Sequence, residues 1–114
     1  MPQMSQRLRI FTRLSQVADF RRRHLPFIRT LEDLELVREI GRHQSEGDPA
    51  TLKTLFLKGI GSVATVQRRI SRLRRLGVVL QSRVEHDKRL VRLVLSPPVW
   101  RSYAELSRLM MKSR

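Results

Sequence analysis

Apolar residues recur at three- and four-residue intervals along most of the chain, which is the period of helices with one buried stripe, and one stretch switches to every second residue. The first stripe is Leu8, Phe11, Leu14, Val17 and Ala18, widened by Ile10 and Phe20, and it predicts a helix from Ser5 to about Arg23. Pro26 ends it, because the residue before a proline is pushed toward extended geometry. A second helix is expected over Thr30 to His43, with Leu31, Leu34, Leu36, Val37 and Ile40 as its apolar set and Thr30 and Asp33 at capping-box spacing. After the polar loop Gln44 to Asp48, a short helix is expected with Asp48 as N-cap and Pro49 in its first turn, burying Leu52, Leu55 and Phe56.

The next helix begins at Ser62 in the stretch SVATVQRRISRLRRLGVV. At 100° per residue, Val66, Ile70 and Leu73 share a sector that can bury, while Ala64, Arg68, Ser71, Arg72 and Arg75 point the other way. Gly59 and Gly61 bracket a tight turn before it, Ser62 can cap it, and Gly77 supplies the left-handed residue that stops it. Beyond it, Val78 to Val84 has strand propensity, Glu85 to Lys88 is a polar turn, and Arg89 to Leu95 places Val91, Leu93 and Leu95 on one face. Ser96 then caps a last helix, with Pro97 and Pro98 in its first turn and Val99, Tyr103, Leu106, Leu109 and Met110 on one side, running to about Lys112. Helix, glycine turn, basic helix, hairpin is the order of a winged helix-turn-helix. The expected fold class is therefore mainly α with a small β-hairpin, in one domain over residues 1–114.

Charge narrows the partner. The 24 Lys and Arg against 10 Asp and Glu leave a net charge of +14, which favours a polyanion. It is unevenly spread: Leu31 to Gly61 has six acids against four bases, whereas Ser62 to Leu95 has nine bases against two acids. With no cysteine, disulfides, thiolate metal sites and cysteine nucleophiles are excluded. His24, His43 and His86 lack metal-ligand spacing, and no nucleophile or phosphate-loop motif stands out, so no enzyme, metal or cofactor is expected. No apolar run approaches a membrane span and the N-terminus lacks a signal-peptide core, leaving a soluble cytoplasmic protein as the expectation.

At the level of motifs, the chain resembles the MarR-type winged-helix transcriptional regulators. Ser62, Thr65, Val66, Arg68, Ile70, Leu73, Gly77 and Val78 stand in register with that family's "S-x-S-T-V-x-R-x-V-x-x-L-x-x-x-G-L". Asp87-Lys88-Arg89 matches its "D-x-R", and Leu95-Ser96 matches the close of its "L-x-x-L-[ST]", with Leu93 standing two residues before Leu95. The likeness spans roughly Leu31 to Tyr103. It implies double-stranded DNA as partner, with Ser62, Ala64, Thr65, Gln67 and Arg68 in the major groove and Arg68 as principal base reader. Arg72 and Arg75 would reach phosphates, and Asp87, Lys88 and Arg89 would form the wing contact, Asp87 holding Arg89 at the minor groove. It also implies a homodimer, in which residues 5–29 and 97–114 pair across a two-fold axis and flank a DNA-binding core over 30–96.

Two other readings stand beside this one: a basic RNA- or ribosome-associated protein, and a winged helix that binds protein. Against the first, aromatics make up 5% of the chain and none lies in Ser62 to Arg75 to stack on an unpaired base. Against the second, a protein-binding winged helix has no need of Arg68, Arg69, Arg72, Arg74 and Arg75 on one helix. Trp100 and Tyr103 with Met110 and Met111 are expected in core or subunit packing, and no residue pattern points to a small-molecule effector.

Overall fold

The computed structural model describes residues 8–84 and 87–112, and the side chains among them other than those of 83, 84, 87–90 and 112. Among the described residues, five helices and three strands follow in the order α1 (Arg9–His24), α2 (Leu31–Ser45), β1 (Ala50–Thr51), α3 (Leu52–Phe56), α4 (Val63–Arg75), β2 (Val79–Val84), β3 (Asp87–Leu95) and α5 (Pro97–Lys112). The strands form one antiparallel sheet in the order β1-β3-β2. Residues 5–7, which open the expected first helix, lie outside the described residues; Leu8 is extended and α1 begins after it.

Packing follows the periodicities. Leu36, Val37 and Ile40 of α2, Leu55 of α3, Val66, Ile70 and Leu73 of α4, and Leu93 and Leu95 of β3 meet in a single core that α5 joins through Val99. Gly77 has φ +75°, the left-handed geometry that ends α4 and sends the chain directly into β2. At the far end of α2, the Gln44 side-chain carbonyl accepts a 2.8 Å hydrogen bond from the Leu95 amide, fixing α2 to the root of the hairpin.

Two expectations are corrected here. Asp48 and Pro49 do not start α3: the chain stays extended through Ala50 and Thr51, which pair with Leu93 and Arg92 of β3. Thr51 caps the helix instead, accepting from the Thr54 amide at 3.2 Å. Asp48 and the Pro49 carbonyl are taken by the Arg92 guanidinium, at 2.9 and 2.7 Å. Burying Ala50 against the core outweighs an earlier helix start, because the strand pairing also satisfies its backbone groups. Leu31, counted in the buried stripe of α2, is 64% exposed, while Asp33 on the same turn is fully buried.

The terminal helices touch each other and form an arm beside the core. Arg13 of α1 donates to the Met110 carbonyl of α5 at 2.8 Å. The radius of gyration is 16.5 Å and the extents are 60 × 29 × 23 Å, against about 13 Å for a compact chain of this length. Along the arm, Leu8, Ile10, Phe11 and Leu14 of the N-terminal segment and Trp100, Leu109 and Met111 of α5 remain exposed, Phe11 at 63% and Met111 at 76%. No helix among the described residues is long and apolar enough to cross a membrane.

Candidate nucleic-acid interface

The site is built on α4, whose start is fixed by hydroxyl chemistry. Ser62 Oγ accepts from the Thr65 amide at 3.1 Å and donates to Thr65 Oγ1 at 3.0 Å, so both hydroxyls are oriented and one free helix amide is satisfied. With Val66, Ile70 and Leu73 in the core, the opposite side of the helix presents Ala64, Gln67, Arg68, Ser71 and Arg75, which line one shallow concave surface. A second concavity, between α4 and the hairpin, is lined by Ser71, Arg74, Arg75, Val79, Leu80 and Gln81. Among the described residues, Arg68, Arg74 and Arg75 are exposed and have no protein partner. The expected major-groove set Ser62, Ala64, Thr65, Gln67 and Arg68 therefore shares the first two turns of one accessible helix.

Arg72 is different. Its side chain is only 16% exposed and turns inward across the flank facing α2, where it donates to the Phe27 carbonyl at 2.8 Å and to Asp33 Oδ2 at 3.3 Å. The expectation that Arg72 lies on the phosphate-facing surface is corrected accordingly. Asp33 Oδ2 also accepts from the Arg29 and Thr30 amides at 3.0 and 3.2 Å, and Thr30 Oγ1 accepts from the Asp33 amide, so the capping box of α2 doubles as the anchor of α4. A fully buried carboxylate requires such company, since an unpaired one would lose several kcal/mol of hydration. Arg69 stands on the same flank, its Nε 3.8 Å from Asp33 Oδ1.

The turn before α4 is tied down at the other side of α2. Lys58 reaches Glu39 at 3.4 Å, and Arg42 pairs with both Glu39 and Glu46, at 2.8 and 3.0 Å. The Arg42 hydrogen bond, aided by the charges of Arg42 and Lys58, holds the Glu39 carboxyl below the usual carboxylate range, against the opposing effect of burial. On the hairpin, Asp87, Lys88 and Arg89 belong to β3, but their side chains lie outside those described, and the β2–β3 register is irregular between Arg83 and Val84.

No protein-family model matches the chain, and no curated protein does. Solved structures do. S. aureus MepR bound to ethidium bromide superposes with a TM-score of 0.59 at 14% identity, over 91% of this chain and 76% of that one. Streptococcus pneumoniae FabT in complex with DNA gives 0.55 at 17% identity, over 91% and 78%. A probable transcriptional regulator from Pseudomonas aeruginosa gives 0.54 at 16%, over 92% and 81%. The fold is that of the MarR-type winged helices.

Within this winged helix, the second helix, α2, carries the feature that reading by motif overlooked. Asp33 falls in register with Val37 and Ile40, on the buried stripe itself. An acid at such a position must meet donors or cations, which was a legible sign. Its partner, 39 residues away in Arg72, was not. Between α2 and α5 lies a mainly apolar cleft of about 490 Å³, with Val37, Gly41, Leu95, Trp100 and Tyr103 in its walls and Arg38 and Arg42 beside them. Burial there raises the Tyr103 hydroxyl above its ordinary pKa, against the nearby charges of Arg21 and Arg38.

Proposed function

We propose that the protein is a transcriptional regulator that binds specific sequences of double-stranded DNA as a homodimer in the cytoplasm. The observation that carries this reading is α4: a firmly packed helix of a MarR-type winged helix whose accessible face bears Arg68, Arg74 and Arg75, without protein partners among the described residues. A helix of that width fits the major groove, where an arginine fork pairs with guanine O6 and N7. Arg68 is the base reader, with Ser62, Ala64, Thr65 and Gln67 beside it at the groove floor. Thr65 Oγ1 already accepts from Ser62, so its own proton is available to a base or phosphate oxygen. Arg75, on the last turn, contacts a phosphate, and Asp87, Lys88 and Arg89 carry the wing contact to the flanking minor groove.

Support for the dimer comes from the arm. Phe11, Leu14, Leu109 and Met111 are too many exposed apolar residues for a surface that stays wet, and burying them against a second copy removes that cost. A two-fold axis through the arms sets two α4 helices about 34 Å apart, one turn of duplex, and demands an inverted-repeat site. The neighbour FabT was solved with DNA, which favours the same partner for this fold here.

A selection from random duplexes tests the reading. The expected result is an enriched inverted repeat whose half-sites lie one helical turn apart. No enrichment, together with equal or tighter binding to single-stranded RNA, would overturn it.

A further inference from the structure

We infer that Arg69, with Arg29 beside it, forms a second phosphate contact on the α2 flank of the reading helix, held in place by the buried carboxylate of Asp33. This rests on the DNA-binding reading above and assigns the strand contact that Arg72 cannot make.

Three observations carry it. First, Asp33 is already served without Arg69. Its Oδ2 accepts two backbone amides and the Arg72 guanidinium, so one buried negative charge faces two arginines and the flank keeps a positive excess. Second, Arg69 does not close on Asp33. At 3.8 Å it is too far to hydrogen-bond, Asp33 Oδ1 has no hydrogen-bond partner among the described residues, and the Arg69 side chain stays 28% exposed, in contrast to Arg72 at 16%. It approaches the carboxylate through Nε, and among the described residues its terminal NH groups bond nothing. Third, Arg29 is exposed, and its amide sits on the same carboxylate. The Arg69 guanidinium and the backbone of Arg29 thereby meet at one anchor, beside the C-terminal half of α4, and the exposed Arg29 side chain starts from that point.

Position on the helix gives the partner. At 100° per residue, Arg69 lies about 100° from Arg68 and Arg75 lies on the far side of Arg68 from it, so Arg69 and the hairpin occupy opposite flanks of the reading face. A helix seated in the major groove has one phosphate strand along each flank. The hairpin serves one strand, and Arg69 and Arg29 serve the other. The acidic Glu32 side chain lies beside Gly61, at the opposite end of α4, which confines the attraction to the Arg69 end. Asp33 acts here as a positioning residue: its charge draws Arg69 to this flank without consuming its donors.

The test is the salt dependence of duplex binding by the full-length protein, read for the wild type, Arg69→Gln, Arg29→Gln and Arg75→Gln. Each substitution is expected to lower the log–log salt slope by about 0.9 for every reading helix bound. That corresponds to about an eightfold weaker complex at 0.1 M salt for each reading helix bound, equally on specific and random duplexes. Melting should stay near the wild-type temperature for Arg29→Gln, an exposed residue, which keeps the test open should Arg69→Gln fold poorly. A slope that falls for Arg75→Gln but not for Arg69→Gln or Arg29→Gln would sink this inference and leave the DNA-binding reading standing. Wild-type protein with no salt-dependent duplex binding would remove both.

Discussion

Removing the Arg72 side chain should damage the protein's stability and not its charge contact with DNA. In the Arg72→Met variant, the loss centres on Asp33, whose carboxylate is fully buried while Arg72 is 16% exposed. Stripping one partner from a buried ion pair costs about 3–5 kcal/mol, because the remaining charge is left uncompensated. Two features pull the expected value toward the lower bound. Asp33 keeps the Arg29 and Thr30 amides, and Arg69 can close the remaining distance from 3.8 Å. Against them stands the hydrogen bond from Arg72 to the Phe27 carbonyl, whose loss adds about 1 kcal/mol. The expected destabilisation is therefore roughly 3 kcal/mol, or on the order of 10 °C in Tm for a chain of this size. Urea unfolding at one fixed protein concentration measures it as a lower midpoint with an unchanged slope. Adding Asp33→Asn closes a double-mutant cycle, and the pair should lose 1 kcal/mol or more less than the sum of the single variants, as about 0.5–3 kcal/mol is usual for direct partners. A loss below about 1 kcal/mol in Arg72→Met, or additive single losses, would refute the anchor. A salt slope of DNA binding that drops as it does for a phosphate contact would return Arg72 to the interface.

Arg68→Ala should cost about 1–3 kcal/mol on the best selected duplex and far less on random DNA; equal losses on both would make Arg68 a phosphate contact. Replacing Leu14 and Leu106 by Glu should give a folded monomer in light scattering that binds a half-site weakly and loses the full inverted repeat, whereas a wild-type mass near one chain with DNA bound would reject the dimer. Because the folded-state pKa of Glu39 is lowered, its stabilising contribution is complete above the ordinary value of 4.5 and disappears as the pH falls through the folded value. Thermal unfolding of Glu39→Gln should accordingly vary less with pH below about 5 than the wild type does, and parallel curves would show that the Arg42 and Lys58 contacts contribute nothing.

The chain's own periodicity was enough to determine most elements and the face each one buries. Val66, Ile70 and Leu73 lie on the wheel where α4 must pack, and they are buried. Ser62 and Gly77 mark its ends with side-chain and left-handed chemistry that act within a few residues, so both are readable locally. Segmental charge likewise pointed to α4, because charge belongs to residues before any folding. What the sequence could not decide was where long side chains turn. On a bare wheel Arg72 points away from the buried sector, yet its flexible stem reaches Asp33 and Phe27, and that choice depends on α2 and the preceding loop lying alongside. Ala50 and Thr51 were equally beyond local reading: two residues carry no strand period, and only Leu93 and Arg92 across the sheet make them a strand. Asp48 shows the same competition, since a side chain fit to cap a helix was claimed by Arg92, 44 residues along the chain. Local caps and stripes act over one or two turns, whereas a buried charge or an edge strand takes its partner from whatever the tertiary fold brings near, and only the tertiary structure decides that.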